Sequence, residues 1–405
     1  MDKVREQYEN WRYPEPALDL DEDFRSGAFD RSDPSLFRRK LWPRQVEPEH
    51  LRILIAGCGT MQAARYAYRN RFCNVVGTDI SQSALAHQDY LKRKHGLQNL
   101  RLHRLSIFEL GELAEKFDLI VCTGVLHHLP DPIAGLRALK SLLLPHGVMS
   151  IMLYGLYRRY GVYMLQQVFR MLGVEQTPEG VELVRETLAA LPAWHHVRSY
   201  TKHAPDLDSG SGIVDTFLHS TDHAYAVPDV MRFARDGDMA FQDWMDRHDY
   251  SISALIPQAM RIWTRAEKLS LEQQWHLVEL IGQSLGMHGF LLCHPERNQS
   301  EYRVDFSSDS AQAAWLSYIP HLRPPLNVLS VSNVGAGTPA RMRRNNVEFS
   351  LDPKEAIMFE RIDGRATISQ IIERSAIDLP YQDKRALAHK LFSRMNDLDH
   401  LMYEI

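Results

Sequence analysis

The chain has 405 residues, 44% hydrophobic and 24% charged, which suits a globular protein of two domains or of one heavily elaborated domain. Its formal net charge of -4 gives no general attraction to nucleic acid or to an anionic membrane. The opening MDKVREQYENW is too polar for a signal-peptide core, and no run approaches the roughly 20 apolar residues that span a bilayer. Four scattered cysteines, Cys58, Cys73, Cys122 and Cys293, read as free thiols in a reducing compartment, so the expected location is cytoplasmic.

Residues 1–50 carry many prolines and charges, with aromatics at Tyr8, Trp11, Tyr13 and Trp42. They read as a short helix followed by an irregular arm. From Leu51 a regular alternation begins. Leu51–Ala56 is apolar apart from Arg52 and short enough for a strand buried on both faces, and Asn74–Thr78, Leu100–Arg104, Lys116–Cys122 and Val148–Tyr154 read as the second to fifth strands. Met61–Asn70, Gln82–His95 (stopped by Gly96) and Asp131–Leu144 predict the intervening helices, and Pro145-His146-Gly147 predicts a turn. This alternation predicts an α/β, doubly wound, mainly parallel sheet with helices on both faces.

Beyond Tyr154 the pattern loosens. Leu156–Leu172 and Pro178–Leu191 predict helices, followed by a polar loop centred on 208–212. Pro228–Ala234 reads as a helix, Met239–Met245 as a strand, Ile252–Leu285 as largely helical and Gly289–Cys293 as a last apolar strand. After a break at about 296–340, Pro353–Ile362 predicts a helix, Asp363-Gly364 a turn, and Thr367 with Gln370 a capping box opening the first of two more helices, roughly 367–375 and 382–397. The expected division is an arm or lid at 1–50 and an α/β domain at 51–296, with helical insertions at about 156–226 and 252–285. A linker at 297–340 and a small module at 341–405 complete it.

The strongest local signal is Ile53-Leu54-Ile55-Ala56-Gly57-Cys58-Gly59-Thr60, a strand running into glycines and then a helix. Open α/β sheets bind ligands at the carboxyl ends of their strands. A helix N-terminus there presents free N–H groups and a positive dipole end, suited to a carboxylate. Asp79 ends the second strand about twenty residues on, where a carboxylate can accept both hydroxyls of a ribose. Its plain alternative is a helix N-cap, a role for which Ser81 competes. No Gly-Lys-Ser/Thr ending is present, so this is no phosphate-binding P-loop.

The runs ILIAGCGT, VVGTDIS, FDLIVCTGVLHHLPDP and LKSLLLPHGVMSIMLYG resemble, in sequence and order, the class I S-adenosylmethionine-dependent methyltransferases, over roughly residues 51 to 155. Within them the chain looks most like a bacterial group with an N-terminal Tyr-x-x-x-x-Tyr-Pro segment, here Tyr8 to Tyr13-Pro14, and a later His–Asp–Tyr segment, here DTFLHSTDHAYAVPD. The resemblance implies a Rossmann-like, seven-stranded sheet and S-adenosylmethionine as cofactor. It implies Ala56, Gly57, Cys58, Gly59, Asp79, Ile80, Ser106, Ile107, Thr123 and Gly124 as cofactor-binding residues, with Cys122 also lining the cleft. Two positions depart from the pattern. Met61 stands where a third small residue is common, and Ser106 aligns with the acidic residue that often contacts the adenine amino group. Both predict weaker cofactor binding and keep a non-catalytic cofactor-binding regulator as an alternative.

Methyl transfer from a sulfonium is an in-line displacement, so alignment and exclusion of water dominate, and a base is needed only if the nucleophile arrives protonated. Candidate catalytic residues are His127 and His128 just past the fourth strand, at most one of which should face the substrate. A His219–Asp222 pair with Tyr225 nearby, and Tyr8 and Tyr13 on the arm, complete the set. Structural alternatives are that one of the paired histidines caps the following turn while the other packs against the helix starting near Asp131, that His219 and Asp222 form a brace, and that the tyrosines simply anchor the arm. No Cys-x-x-Cys or His-Glu-x-x-His occurs, so no metal is expected. Tyr157-Arg158-Arg159-Tyr160 with Arg170 reads as a solvated helix face, though it could meet an acidic substrate or a membrane surface.

The last 65 residues weakly resemble a small winged-helix domain of peptide-recognising chaperones, with Arg341–Glu348 as a strand. Arg341, Arg343 and Arg344 are opposed by Glu355, Glu360, Asp363, Glu373, Asp378 and Asp383, which argues against nucleic acid as a partner. Scaffolding or homodimerisation is the plainer role. The expectation is transfer of a methyl group to an N or O nucleophile, on a peptide or protein, with a small secondary metabolite as the alternative.

Overall fold

The computed structural model describes residues 3–44, 50–283, 285–307, 313–325, 327–330, 340–344 and 347–405. Parts of the expected linker at 297–340, and of the strand expected at Arg341–Glu348, lie outside the described residues. The chain divides into two compact units, drawn differently from the four segments expected above. One comprises Met1–Asp30, Pro48–Met245 and Trp275–Glu296, and the other Arg31–Glu47, Asp246–Gln274 and Arg297–Ile405.

The first unit is built on β1 (Arg52–Ala56), β2 (Asn74–Asp79), β3 (Leu100–Arg104), β4 (Phe117–Thr123), β5 (Leu143–Gly155), β6 (Ala224–Tyr225), β7 (Ala240–Trp244) and β8 (Met287–Cys293). The order is β3-β2-β1-β4-β5-β8-β7, and the two-residue β6 pairs with β5. Pairings from β3 to β5 are parallel, whereas β8 runs antiparallel to both β5 and β7. The sheet is thus the mostly parallel, Rossmann-like one, with an antiparallel edge. Ile53 to Ala56 and Phe117 to Cys122 are buried throughout, as central strands covered on both faces require.

Helices Gln62–Arg69, Gln82–His95 and Pro132–Lys140 connect the strands. Pro132 sits in the first turn, where its missing N–H costs nothing, behind Asp131, whose side chain accepts from the Ala134 amide. The turn expected at 145–147 is a bulged start of β5. Phe117 is paired with Leu143 and Leu119 with Val148, so the intervening residues loop out around Pro145.

Helices Leu156–Met171 and Pro178–Ala190 form as expected. The expected polar loop at 208–212 is helical instead. Pro205–Asp208 and Gly210–Ile213 are short helical turns, and a π-turn at Val214–Leu218 follows. Ser209 starts the second turn by accepting from the Gly212 amide, so the small polar residues here are caps rather than a flexible run. The stretch expected to be helical over 252–285 is three helices, Ile252–Leu255, Trp263–Ala266 and Leu271–Gly282, the first break falling at Pro257.

In the second unit β9 (Ile319–Leu322) pairs antiparallel with β13 (Leu401–Glu404), and β10 (Asn327–Ser330), β11 (Ala340–Arg344) and β12 (Val347–Leu351) form an antiparallel sheet. The single strand expected at Arg341–Glu348 is therefore two strands, β11 and β12. Helices Pro353–Phe359, Ile368–Arg374 and Tyr381–Asp397 accompany them, and Thr367 with Gln370 forms the expected capping box. Trp315, Ile368, Ile372, Leu391, Phe392 and Tyr403 lie in its core. A buried ion network of Lys40, Asp399, Arg323 and Asp246 is also part of this unit.

Candidate active site

The strand order reverses direction between β1 and β4, and the crevice at their carboxyl ends opens into a pocket of about 660 Å³, within the roughly 300–1,000 Å³ of small-molecule sites. Gly57, Cys58, Gly59, Asp79, Ile80, Ser106, Ile107, Thr123 and Gly124 all line it. Two of the residues implied by resemblance do not. Ala56 is buried at the end of β1, and Cys122 is buried in β4 facing the core.

The glycine loop is set by its backbone. Gly57 has φ +73°, and a Cβ there would stand 2.3 Å from the Val125 Cγ2. Gly57 and Cys58 both donate to the Thr78 carbonyl, at 2.8 and 2.9 Å. Gln88, fully buried on helix Gln82–His95, donates to the carbonyls of Cys58 and Gly59 and accepts from the Ala64 amide. This clamp is invisible in the sequence, where Gln88 reads as one polar residue on an amphipathic helix. Met61 stands one residue before helix Gln62–Arg69 and gives it no side-chain cap; the Gln62 amide donates to the Cys58 carbonyl and the Ala64 amide to Gln88, so what the helix start offers a ligand carboxylate is its positive dipole end. Because Met61 is outside the helix, Met61→Gly escapes the helix-interior penalty of glycine. We expect it to leave cofactor affinity equal or tighter by calorimetry, while losing roughly 1.5–3 kcal/mol of stability with the buried side chain. A tenfold or greater loss of affinity would show that Met61 packs on the ligand.

Asp79 is not the helix cap. That role falls to Ser81, whose hydroxyl accepts from the Ala84 amide. The Asp79 carboxylate accepts from the amides of Gly59 at 2.8 Å and Ser81 at 2.9 Å, and each oxygen keeps a lone pair for a ligand hydroxyl. Burial raises its pKa, and the amide bonds of Ser81, Gly59 and Ile80 offset part of that rise. Ser106 caps the turn Ile107–Leu113, accepting from the Phe108 amide.

The N-terminal arm lies over this loop. Tyr8, Tyr13 and Pro14 line the pocket. The Thr60 hydroxyl donates to the Pro14 carbonyl at 2.8 Å, and the Ser81 hydroxyl donates to the Tyr8 carbonyl at 3.1 Å. Glu9 accepts from the amides of Gln82 and Ser83 and pairs with Arg104 at 2.8 Å, so it takes the anion position at that helix N-terminus. The Tyr8 hydroxyl donates to Asp215 at 2.8 Å, and that of Tyr13 to Asp206 at 3.3 Å.

The two adjacent histidines lie in different surroundings. His128 is in the pocket wall, whereas His127 is wholly buried with its ring 3.9 Å from that of Tyr154. His128 Nδ1 lies 2.9 Å from the Thr221 carbonyl, which can only accept, so Nδ1 carries the proton. Its Nε2 is buried with no hydrogen-bond partner. The Thr221 amide donates to His219 Nδ1 at 3.0 Å, so the proton of a neutral His219 is on Nε2, also buried and without partner. The two rings stack at 3.9 Å. Burial lowers the pKa of both, that of His219 to about 4, so both imidazoles are neutral at pH 7.

His219 and Asp222 do not form the expected pair, and neither lines the pocket. Asp222 instead accepts from Gln166 at 3.0 Å and pairs with Arg159 at 3.3 Å. Arg159 is the larger surprise. Its stretch reads as a solvated helix face, yet it is fully buried, 3.6 Å over the Tyr154 ring and donating to the Tyr200 and Tyr163 hydroxyls. Tyr225, away from the pocket, packs its ring against Phe233. Asp215, not singled out in the sequence, is buried and accepts from both Tyr8 and Tyr154, the latter at 3.0 Å. Among the described residues, His128, Asp215 and His219 form one group that could hold a metal ion, and Asp246, His248 and Asp399 another. The carboxylates of the second are already engaged by Lys40 and Arg323.

The glycine loop at the end of β1 and the ribose-type carboxylate at the end of β2 are arranged as in an S-adenosylmethionine-dependent methyltransferase domain. Residues 54–149 match the family model described as a methyltransferase domain. The chain is 27% identical over 341 residues to an uncharacterized protein of Synechococcus sp., covering 81% of this chain and 78% of that one. It is 29% identical over 97 residues to the ubiquinone biosynthesis O-methyltransferase of Acinetobacter baumannii, covering 24% of this chain and only 40% of that enzyme. In fold it is similar to PKMT2 from Rickettsia typhi in complex with AdoHcy, with a TM-score of 0.67 and 15% identity over 93% of this chain and 76% of that one. The donor set fits the cofactor, with the positive end of helix Gln62–Arg69 for its carboxylate and Asp79 for its ribose. No helix among the described residues is long and apolar enough to cross a membrane.

Proposed function

We propose that this methyltransferase acts on an N or O nucleophile that arrives carrying a proton, with His128 as its base. The observation that carries this reading is the bare, buried Nε2 of His128, whose tautomer the Thr221 carbonyl fixes. S-adenosylmethionine supplies the methyl group as an electrophile on sulfur. The positive end of helix Gln62–Arg69 holds the carboxylate of the donor and Asp79 its ribose, and Gly57 and Gly124 keep the backbone close to its centre. The arm acts as a lid, with Tyr8 and Tyr13 excluding water and holding the acceptor in line. Tyr13→Phe, which removes the bond to Asp206, is then expected to lower turnover about 3–10-fold, near 1 kcal/mol, with a smaller change in cofactor affinity. Equal losses in both would leave Tyr13 as an anchor only.

A peptide or protein acceptor is the first reading, supported by the winged-helix-like resemblance of the C-terminal residues. The local similarity to an O-methyltransferase of ubiquinone biosynthesis favours a small molecule as the second. Incubating cell extract with trideuteromethyl-labelled S-adenosylmethionine separates them. Label in peptides after digestion supports the first reading, and label only in the small-molecule fraction supports the second. No acceptor-dependent label in either fraction would instead support the non-catalytic regulator.

A further inference from the structure

Tyr8 belongs to the arm, Tyr154 to β5, and His128 to the loop after β4. All three come together around the buried Asp215, which the insertion after β5 provides. One Asp215 oxygen accepts from Tyr8 and the other from Tyr154. The ligand atoms of His128, Asp215 and His219 lie within 4.8 Å of one another. We propose that Asp215 is a positioning residue with two tasks, serving as counter-charge to the imidazolium that forms on His128 and as the latch that seats the arm through Tyr8. This inference rests on His128 as the base.

The charge balance shows why a counter-ion is needed. As the acceptor atom forms its bond to the methyl carbon, the sulfur–methyl bond breaks and its electron pair stays on sulfur. The acceptor's proton passes to His128 Nε2. Positive charge therefore moves from the donor to a ring whose surroundings are otherwise unfavourable. His127 and His219 are neutral, Thr221 offers a carbonyl dipole, and Arg159 repels. Arg159 is partly compensated by Asp222. Asp215 is the nearby anion that opposes the lowering of the His128 pKa by burial. Its two tyrosine donors hold the carboxylate in place while leaving further lone pairs toward the histidines.

The same three residues form a two-histidine, one-carboxylate set of the kind that binds a divalent transition metal. The hydrogen bonds oppose that use. A metal-binding imidazole needs a bare nitrogen toward the ion and its proton on the other nitrogen. His128 meets this condition, but His219 has Nδ1 occupied by the Thr221 amide and its proton on Nε2. The Asp215 oxygens already serve two hydroxyls. A donor N–H beside a bare nitrogen suits an acceptor hydroxyl or amine better than a cation.

The test uses the full chain with AdoHcy as probe and requires no known acceptor. The titration midpoint of His128 is read from histidine-labelled protein by nitrogen-15 NMR, its signal assigned by loss in His128→Asn. AdoHcy dissociation is followed by stopped-flow fluorescence. Asp215→Asn is expected to lower the His128 midpoint by about 1 pH unit or more and to speed dissociation about 5–10-fold. Tyr8→Phe keeps the charge, so it should speed dissociation to a similar degree without lowering the midpoint. Should Asp215→Asn unfold the chain, the Tyr8→Phe/Tyr154→Phe double variant is read instead. It should lose the latch and hold or raise the midpoint, and a lowered midpoint would overturn the proposal. An unchanged midpoint in folded Asp215→Asn sinks the counter-charge, and an unchanged dissociation rate in Tyr8→Phe sinks the latch. Micromolar or tighter binding of Zn²⁺ that broadens both the His128 and His219 signals would overturn the proposal in favour of a metal site. Turnover of His128→Asn reads the base assignment separately, so failure of that assignment and failure of Asp215 are distinguishable.

Discussion

His128→Asn is expected to slow methyl transfer about 10²–10⁴-fold, the usual contribution of a positioned general base. Asparagine can still donate to the Thr221 carbonyl and occupies similar space beside His219, so the wall of the pocket is kept. What it lacks is a basic nitrogen. Cofactor affinity should therefore change little, and the loss should appear in single-turnover rate. Raising the pH should recover part of the rate, because an acceptor already deprotonated in solution needs no base. A variant with near wild-type turnover at neutral pH would mean that the acceptor arrives unprotonated and that His128 only shapes the pocket. The neighbouring His127 offers a control. It is wholly buried against Tyr154 and outside the pocket wall, so its replacement should show mainly as lost stability.

Asp79→Ala should weaken S-adenosylmethionine binding by roughly 2–4 kcal/mol, or about 30–1,000-fold, if the carboxylate accepts both ribose hydroxyls. Stability should fall as well, because the Gly59 and Ser81 amides lose their acceptor. That second effect follows from neither reading of the sequence, ribose ligand or helix N-cap, because the Gly59 amide comes from another loop. Asp79→Asn keeps a carbonyl oxygen for one amide and should separate the two losses, binding weakly while melting closer to the wild-type temperature. Calorimetry with the donor and with AdoHcy, together with thermal melting, measures both. Unchanged affinity in a folded Asp79→Ala protein would remove the residue from the site.

The half of the site carried by β1, β2 and β4 was legible because it depends on short-range order. Apolar runs of strand length, glycines at a strand end and an acidic residue twenty positions later are all local patterns. The acceptor side was hard to read because its parts meet only through tertiary contacts. Asp215 and Tyr8 are 207 positions apart, and nothing near either announces the other. Arg159 misled for a different reason. Its neighbours Arg158 and Tyr160 carry the polarity of a solvent-facing helix, but the residue itself turns inward to three tyrosines and Asp222. A buried arginine differs from an exposed one in its partners, not in its spelling. The segment at 208–212 looks like a loop in the sequence because serine, glycine and aspartate favour loops and helix caps alike.

Gly59 answers to more than its own dihedral. Beyond its φ of +51°, an added Cβ would stand 3.0 Å from Pro14 Cδ and 3.2 Å from the Tyr13 carbonyl oxygen. Its missing side chain thus makes room for the arm. The arm and the loop are therefore a matched pair, and neither can drift alone. Transplanting Tyr8 to Pro14 onto another methyltransferase would succeed only where the host loop leaves the same gap, and shortening this arm would relax one of the two constraints on that glycine.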